Sequence, residues 1–268
     1  MKVIMRTSRL LALVIALAAG AFVLNLALPE STQKTQATNH ELLPDLITLE
    51  PPYVDIVTVQ YRVKKVVVTE RRLRLSNVIG NQGEGPLEMY PVSADCDNDG
   101  DVQNDRLVFQ RIFGNTNGVA GFQRGEDAVV DEHPVGCHVF HPKHRHWHLQ
   151  DFSKYELLDG TGNVVASADK VSFCVIDTDP LPGATTPPYY DSCGRNVDLG
   201  LSSGWADMYG YWLAGQYIIL PADLTGTYCL LSTADPANHI RESDETNNAT
   251  GVVVTINGDT VTPGSSCS

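Results

Sequence analysis

The chain has 268 residues, of which 43% are hydrophobic, and carries 19 basic against 32 acidic side chains, a net charge of −13. That length accommodates one sizeable core, and a β-rich unit of about 200 residues fits as a single domain. The acidic balance excludes nucleic acid as a partner and fits an exported protein whose ligands are neutral or cationic.

Reading from the amino end, Lys2, Arg6 and Arg9 precede Leu10–Leu28, 19 residues without a charge. This pattern predicts an export signal, with Ala19-Gly20-Ala21 as the cleavage region, or an uncleaved anchor using residues 10–28. Membrane contact is expected only there, and the location secreted or extracytoplasmic. Without the three leader cations the remainder stands at −16. The polar stretch 29–43 reads as a tether, 44–257 as the folded domain and 258–268 as a tail.

From Pro44 onward the apolar period is two rather than 3.6. "DIVTVQYRVKKVVVTERRLRLSNVIGN", "DRLVFQRIF", "HVFHPKHRHWHLQDF", "KYELLD", "VVASADKVSFCVID", "GQYIIL", "GTYCLLSTA" and "TGVVVTI" all read as strands. Turn signals separate them, so the fold class is all-β, a β-sandwich with long loops and few helices. Six cysteines with no C-x-x-C pair predict disulfides in an oxidising compartment. Cys174 and Cys193 bracket a Pro-, Gly- and Thr-rich loop that a local bridge would restrain, and Cys96 with Cys137 forms a second candidate pair.

Along the same chain, Asp95, Asp97, Asp99 and Gly100 match the start of a calcium loop, although its twelfth position holds Arg106 instead of a bidentate Glu. A solvated acidic turn is the competing reading.

The stretch "HPKHRHWHLQDF" places His144, His146 and His148 at two-residue spacing. Read as one strand, they share one face while Arg145, Trp147 and Leu149 share the other, and three neutral imidazoles suit copper, zinc, nickel or iron(II) with one position open. The competing reading is a surface histidine cluster. His138 and His141 fall outside that alternation and read as supporting or surface groups. In "ADKVSFCV", alternation puts Lys170, Ser172 and Cys174 opposite the core-facing Val171, Phe173 and Val175. In "GWADMYGYW" it groups Trp205, Asp207, Tyr209 and Tyr211.

Taken in order, these segments resemble the catalytic domain of lysyl oxidases, and more closely its shorter bacterial and archaeal members. The resemblance rests on His144, His146 and His148 followed by Phe152, Tyr155, Leu157 and Leu158. It rests also on Lys170, Ser172, Phe173, Cys174, Asp177 and Thr178; on Asp207, Met208, Tyr209 and Gln216; and on Glu242, Ser243, Asp244, Asn247 and Asn248. It covers Pro44 to Ile256 and is strongest from Cys137 to Asn248. What it implies is a copper-dependent amine oxidase that turns primary amines or lysine-containing proteins into aldehydes with dioxygen, releasing ammonia and hydrogen peroxide. Its organic cofactor, lysine tyrosylquinone, would be made from Lys170 and Tyr209, with Asp207 the candidate general base or else a structural carboxylate. Two cysteines of the animal pattern are replaced, by Lys143 and Gly215, while the pair equivalent to Cys174 and Cys193 is kept.

Two other classes compete. One is a non-enzymatic exported sandwich that binds metal or a partner; it gives no reason to hold Lys170 and Tyr209 beside a histidine triplet. The other, a zinc hydrolase, needs a carboxylate among the histidines, where Lys143, Arg145 and Trp147 stand instead.

Overall fold

Alternating apolar residues with β-branched enrichment dictate extended backbone, and the computed structural model of the chain is built from strands throughout. It describes residues 40–96, 100, 105–141, 145–194 and 197–267, and of Asp169 and Lys170 the backbone only. The predicted leader and most of the predicted tether therefore lie outside the described residues. Among those described, no helix is long and apolar enough to cross a membrane.

Seventeen strands follow in chain order: β1 (Glu41–Leu42), β2 (Leu46–Thr48), β3 (Val54–Val63), β4 (Val66–Leu75), β5 (Asn77–Asn81), β6 (Leu87–Val92), β7 (Asp105–Gly114) and β8 (Val129–His141). Then come β9 (His146–Leu158), β10 (Val164–Phe173), β11 (Asp179–Pro180), β12 (Leu199–Leu201), β13 (Trp205–Tyr209), β14 (Tyr217–Leu220), β15 (Gly226–Ala234), β16 (Ala249–Asn257) and β17 (Thr260–Cys267). The largest sheet runs β12-β6-β7-β8-β9-β15-β16-β17, with β1 added to β7 and β10 to β9. Two smaller sheets, β11-β13-β5-β2 and β14-β4-β3, complete the architecture.

One apolar core joins all three sheets. Phe152, Tyr155 and Leu157 of β9 and Leu230 of β15 meet Leu73 and Leu75 of β4, Ile79 of β5 and Ile218 of β14, all essentially inaccessible. Burying a side chain of that size contributes about 1.5–3 kcal/mol, so the alternation on β9 alone supplies a large part of what fixes the strand register.

Both ends of the sequence reading move. Leu42 is fully buried and Glu41–Leu42 pair with Gly114 and Phe113, so the fold begins inside the predicted tether. Thr260–Cys267, read as tail, forms β17 on β16. Its register tolerates Pro263 because an edge strand leaves one row of amides outside the ladder.

Three disulfides staple the sheets: Cys96–Cys137, Cys174–Cys193 and Cys229–Cys267. The first two are the pairs expected from the sequence, and the third ties β15 to β17.

Contacts between the first and last strands are extensive. The Thr48 hydroxyl donates to the Ser232 carbonyl at 3.1 Å, Asn247 Nδ2 donates to the Asp45 carboxylate at 2.8 Å, and the Leu46 amide donates to the Glu242 carboxylate. Arg241 pairs with Glu41 and with Asp131.

Candidate metal and cofactor site

The histidines sit on a hairpin. β8 and β9 pair antiparallel with His141 opposite His146, Val139 opposite His148 and His138 opposite Leu149. Directly opposed residues share a face, so His141, His146 and His148 lie together while His138 lies on the reverse with Leu149.

This corrects the single-strand reading. The strand starts at His146, Arg145 takes the left-handed conformation (φ 61°), and its amide closes a turn on the His141 carbonyl at 2.8 Å. His144 lies outside the described residues. His141, set aside on alternation alone, instead belongs to the cluster. Its ring stacks on His148 with centroids 5.1 Å apart, and the His146 and His148 rings are 4.9 Å apart. Cross-strand register, not alternation within one strand, places His141 there.

Two cavities meet this cluster. One of about 390 Å³ is lined by His141, His148, Ser172, Gly215 and Tyr217. The other, of about 400 Å³, is lined by His146, Cys174, Thr178, Asp207, Met208 and Tyr209. His148 is buried, and its Nδ1 lies 3.1 Å from the Ser172 hydroxyl.

Tyr209 reaches the second cavity from the end of β13. Its hydroxyl accepts the Cys174 amide at 2.6 Å, and its ring packs edge-on against Phe173 at 3.8 Å. Burial, with Asp207 adding, raises its phenol above the ordinary tyrosine range, so Tyr209 is neutral at physiological pH. The contacts through Phe173 and Cys174 bring the strand that carries Lys170 against β13. The Lys170 side chain lies outside the described atoms.

Asp207 is the most perturbed acid here. Burial drives its pKa well above the ordinary carboxyl value, Asp177 and Asp179 add to the rise, and the Ile176 amide opposes it. Its Oδ2 is buried and meets no hydrogen-bond donor among the described residues. Such an unsatisfied oxygen costs about 1–3 kcal/mol, and sites that tolerate that cost are characteristically functional.

Other residues of the recognised motifs hold the frame. The Tyr155 hydroxyl donates to Gln216 Oε1 at 2.9 Å in the core. Asp177 accepts the Ser202 and Tyr190 amides, and the Thr178 hydroxyl accepts the Met208 amide. In the calcium-loop reading, Asp97 and Asp99 lie outside the described residues; Asp95 accepts the Gly100 amide at 3.1 Å. Nearby, Cys96, Cys137 and Asp105 place ligand atoms within 4.8 Å of one another, but the two sulfurs are joined to each other and offer no thiolate.

Residues 101–267 match the family model described as lysyl oxidase. The chain belongs to the lysyl oxidase family. It is similar to lysyl oxidase homolog 3A of Danio rerio, 36% identical over 112 residues, which is 41% of this chain and 15% of that protein. It is similar also to lysyl oxidase homolog 2 of Homo sapiens, 32% identical over 111 residues, 41% of this chain and 14% of that protein. The aligned stretch thus spans about a seventh of these relatives' length. The family's copper suits the described donors: clustered imidazoles are ligands copper accepts readily, and a buried carboxyl and a phenol share the adjoining cavity.

Proposed function

We propose that this member of the lysyl oxidase family is an exported copper-dependent amine oxidase that converts primary amines, lysine side chains of proteins among them, to aldehydes. The overall change consumes amine, dioxygen and water and yields aldehyde, ammonia and hydrogen peroxide. The observation that carries the reading is one cavity lined by a histidine of the cluster, a half-buried tyrosine and a buried carboxyl with one unpaired oxygen.

In this reading His144, His146 and His148 hold copper, and Lys170 and Tyr209 are the precursors of the quinone. When present, copper and the quinone supply the redox capacity that side chains lack. A proton on His148 Nδ1, donated to Ser172, turns the Nε2 lone pair into the metal donor. Met208, Ile176 and Leu213 give the reacting amine an apolar wall. Asp207 accepts the substrate's α-proton. Burial makes the protonated carboxyl the favoured form, and so makes the ionised form a stronger proton acceptor than a surface carboxylate.

The test is peptide mass spectrometry of copper-loaded, air-exposed protein, together with Tyr209→Phe and Lys170→Arg. Wild type is expected to yield one crosslinked species joining the Lys170 and Tyr209 peptides and to release peroxide with primary amines. Both variants are expected to keep copper and lose the crosslink and the peroxide, because a phenyl ring cannot be oxidised to the quinone and a guanidinium cannot add as a neutral amine. Unmodified peptides in fully loaded wild-type protein would sink the self-made cofactor.

A further inference from the structure

The β3–β4 hairpin stands apart from the site. Ile56 and Leu73 form its last buried cross-strand pair, and beyond them every residue from Gln60 to Val67 is exposed. At about 3.3 Å per residue, the seven steps from Ile56 to Val63 carry the tip roughly 23 Å from that pair. A two-stranded ribbon with no sheet beneath it is marginal in water, so packing gives no account of this extension.

Composition at the tip is also unusual. Val63, Val66 and Val67 are 48%, 63% and 53% exposed, and Tyr61 40%. Val63 pairs with Val66 and Tyr61 with Val68, which makes one face of the ribbon end apolar. Between the strands Lys64 and Lys65 both take left-handed backbone, φ 46° and 74°. That is the two-residue turn for which Asn-Gly is favoured, so turn geometry does not explain lysines there.

Charge sharpens the contrast. Residues 54–75 hold Arg62, Lys64, Lys65, Arg71, Arg72 and Arg74 against Asp55 and Glu70, a surplus of four. The chain beyond the leader stands at −16, so what lies outside both carries −20. Arg71 and Arg72 pair with Asp259 and Glu70 near the base. Arg62, Lys64 and Lys65 form no ion pair among the described residues.

We infer that this hairpin tip docks on an anionic lipid surface, with Val63, Val66 and Tyr61 at the headgroup boundary and Arg62, Lys64 and Lys65 on the phosphates. An acidic protein surface would satisfy the cations but offers no apolar layer beneath its carboxylates, whereas a bilayer offers both. The strongly negative body would be repelled by the same lipids. A stand-off of roughly 23 Å is nearly three Debye lengths of about 8 Å at physiological salt, so the repulsion is screened where the attraction is not. The docking is independent of the proposed amine chemistry.

The test uses the full chain carried in vesicles of phosphatidylcholine alone and in vesicles holding about one-third phosphatidylglycerol, read by hydrogen exchange of residues 60–67. Exchange there is expected to slow on the anionic vesicles only and to recover in high salt. Replacing Arg62, Lys64 and Lys65 together by Gln should weaken docking roughly one hundred-fold, at about five-fold per cation, and abolish the protection without moving the unfolding temperature. Replacing Val63, Val66 and Val67 by Ser should also abolish it. Equal exchange on both vesicle types overturns the inference. So does protection that grows with protein concentration without lipid, which would mark a second copy, or protection by soluble polyglutamate alone.

Discussion

Two antiparallel hairpins of the same chain invert each other's pattern of polarity and burial. The β8–β9 hairpin brings histidines into cover, with His138 and His148 almost inaccessible, and is held by Cys96–Cys137 and by β10. The β3–β4 hairpin sends valines and a tyrosine into solvent. Burying an imidazole and exposing an aliphatic side chain each run against transfer free energy. In the readings proposed above, each marks a place where the chain would meet something else, a metal in one case and a lipid surface in the other.

The sharpest way to break the comparison is at the covered hairpin. His146→Ala or His148→Ala is expected to lose copper retention and amine-dependent peroxide together, measured as metal content and in a peroxidase-coupled assay, since two donors hold copper poorly. Full copper in both variants would place the metal elsewhere.

Next in size is a pH effect on the reverse face. Burial first, and Arg106 opposite it, lower the His138 pKa from 6.5 to about 4. The unfolded chain therefore takes up a proton near pH 6.5 that the folded chain refuses until about pH 4. The stability conferred is complete above the unfolded value and lost as pH falls through this window, about 3 kcal/mol at 1.36 kcal/mol per pH unit. Denaturant titrations at pH 7 and pH 4 should register that loss in wild type and a smaller one in His138→Leu; parallel losses would refute the assignment.

A smaller effect is expected at Ser172→Ala, which removes the hydroxyl on His148 Nδ1. Loss of such an orienting partner weakens metal binding about 10–100-fold. Copper affinity by competitive chelation should fall by that factor, and Ser172→Thr should restore most of it; an unchanged affinity in Ser172→Ala would show that the hydroxyl does not orient the ring.

Least of all should be the stability change at the open hairpin. Val66→Ser is expected to shift unfolding by no more than about 0.5 kcal/mol, whereas Leu157→Ala in the core costs about 2–5 kcal/mol. A large loss at Val66 would mean that the tip packs against the molecule and that the contrast between the hairpins is false.

Sequence reading recovers the two hairpins unequally. Period-two alternation finds β7, β9, β15 and β16, because those strands bury one face on the core and the requirement is written into every second residue; it finds β3 and β4 as well, although only their base is buried. It joins β8 to β9 because the residues at the bend, apart from Pro142, keep the same alternation, and so it loses His141, whose place in the cluster comes from cross-strand register. Register depends on pairing between distant residues and leaves no local period. β17 escapes for a related reason: "TVTPGSSC" is polar and holds a proline, and it becomes a strand only through β16 and the Cys229–Cys267 bridge. For Asp207 the motif supplied the residue, while its burial and orphaned oxygen follow from packing.

The bonds that tie Asp45, Leu46 and Thr48 to residues 232–247 also set a timetable. A chain emerging amino end first from a ribosome or an export channel offers β1 and β2 long before their last partners exist. Until residues 232–247 exist, β1 and β2 can pair only with β7 and β5. The amino-terminal strands thus reach their full set of bonds only after residues 232–247 have joined them, whereas the histidine hairpin pairs two neighbouring strands and can close before that.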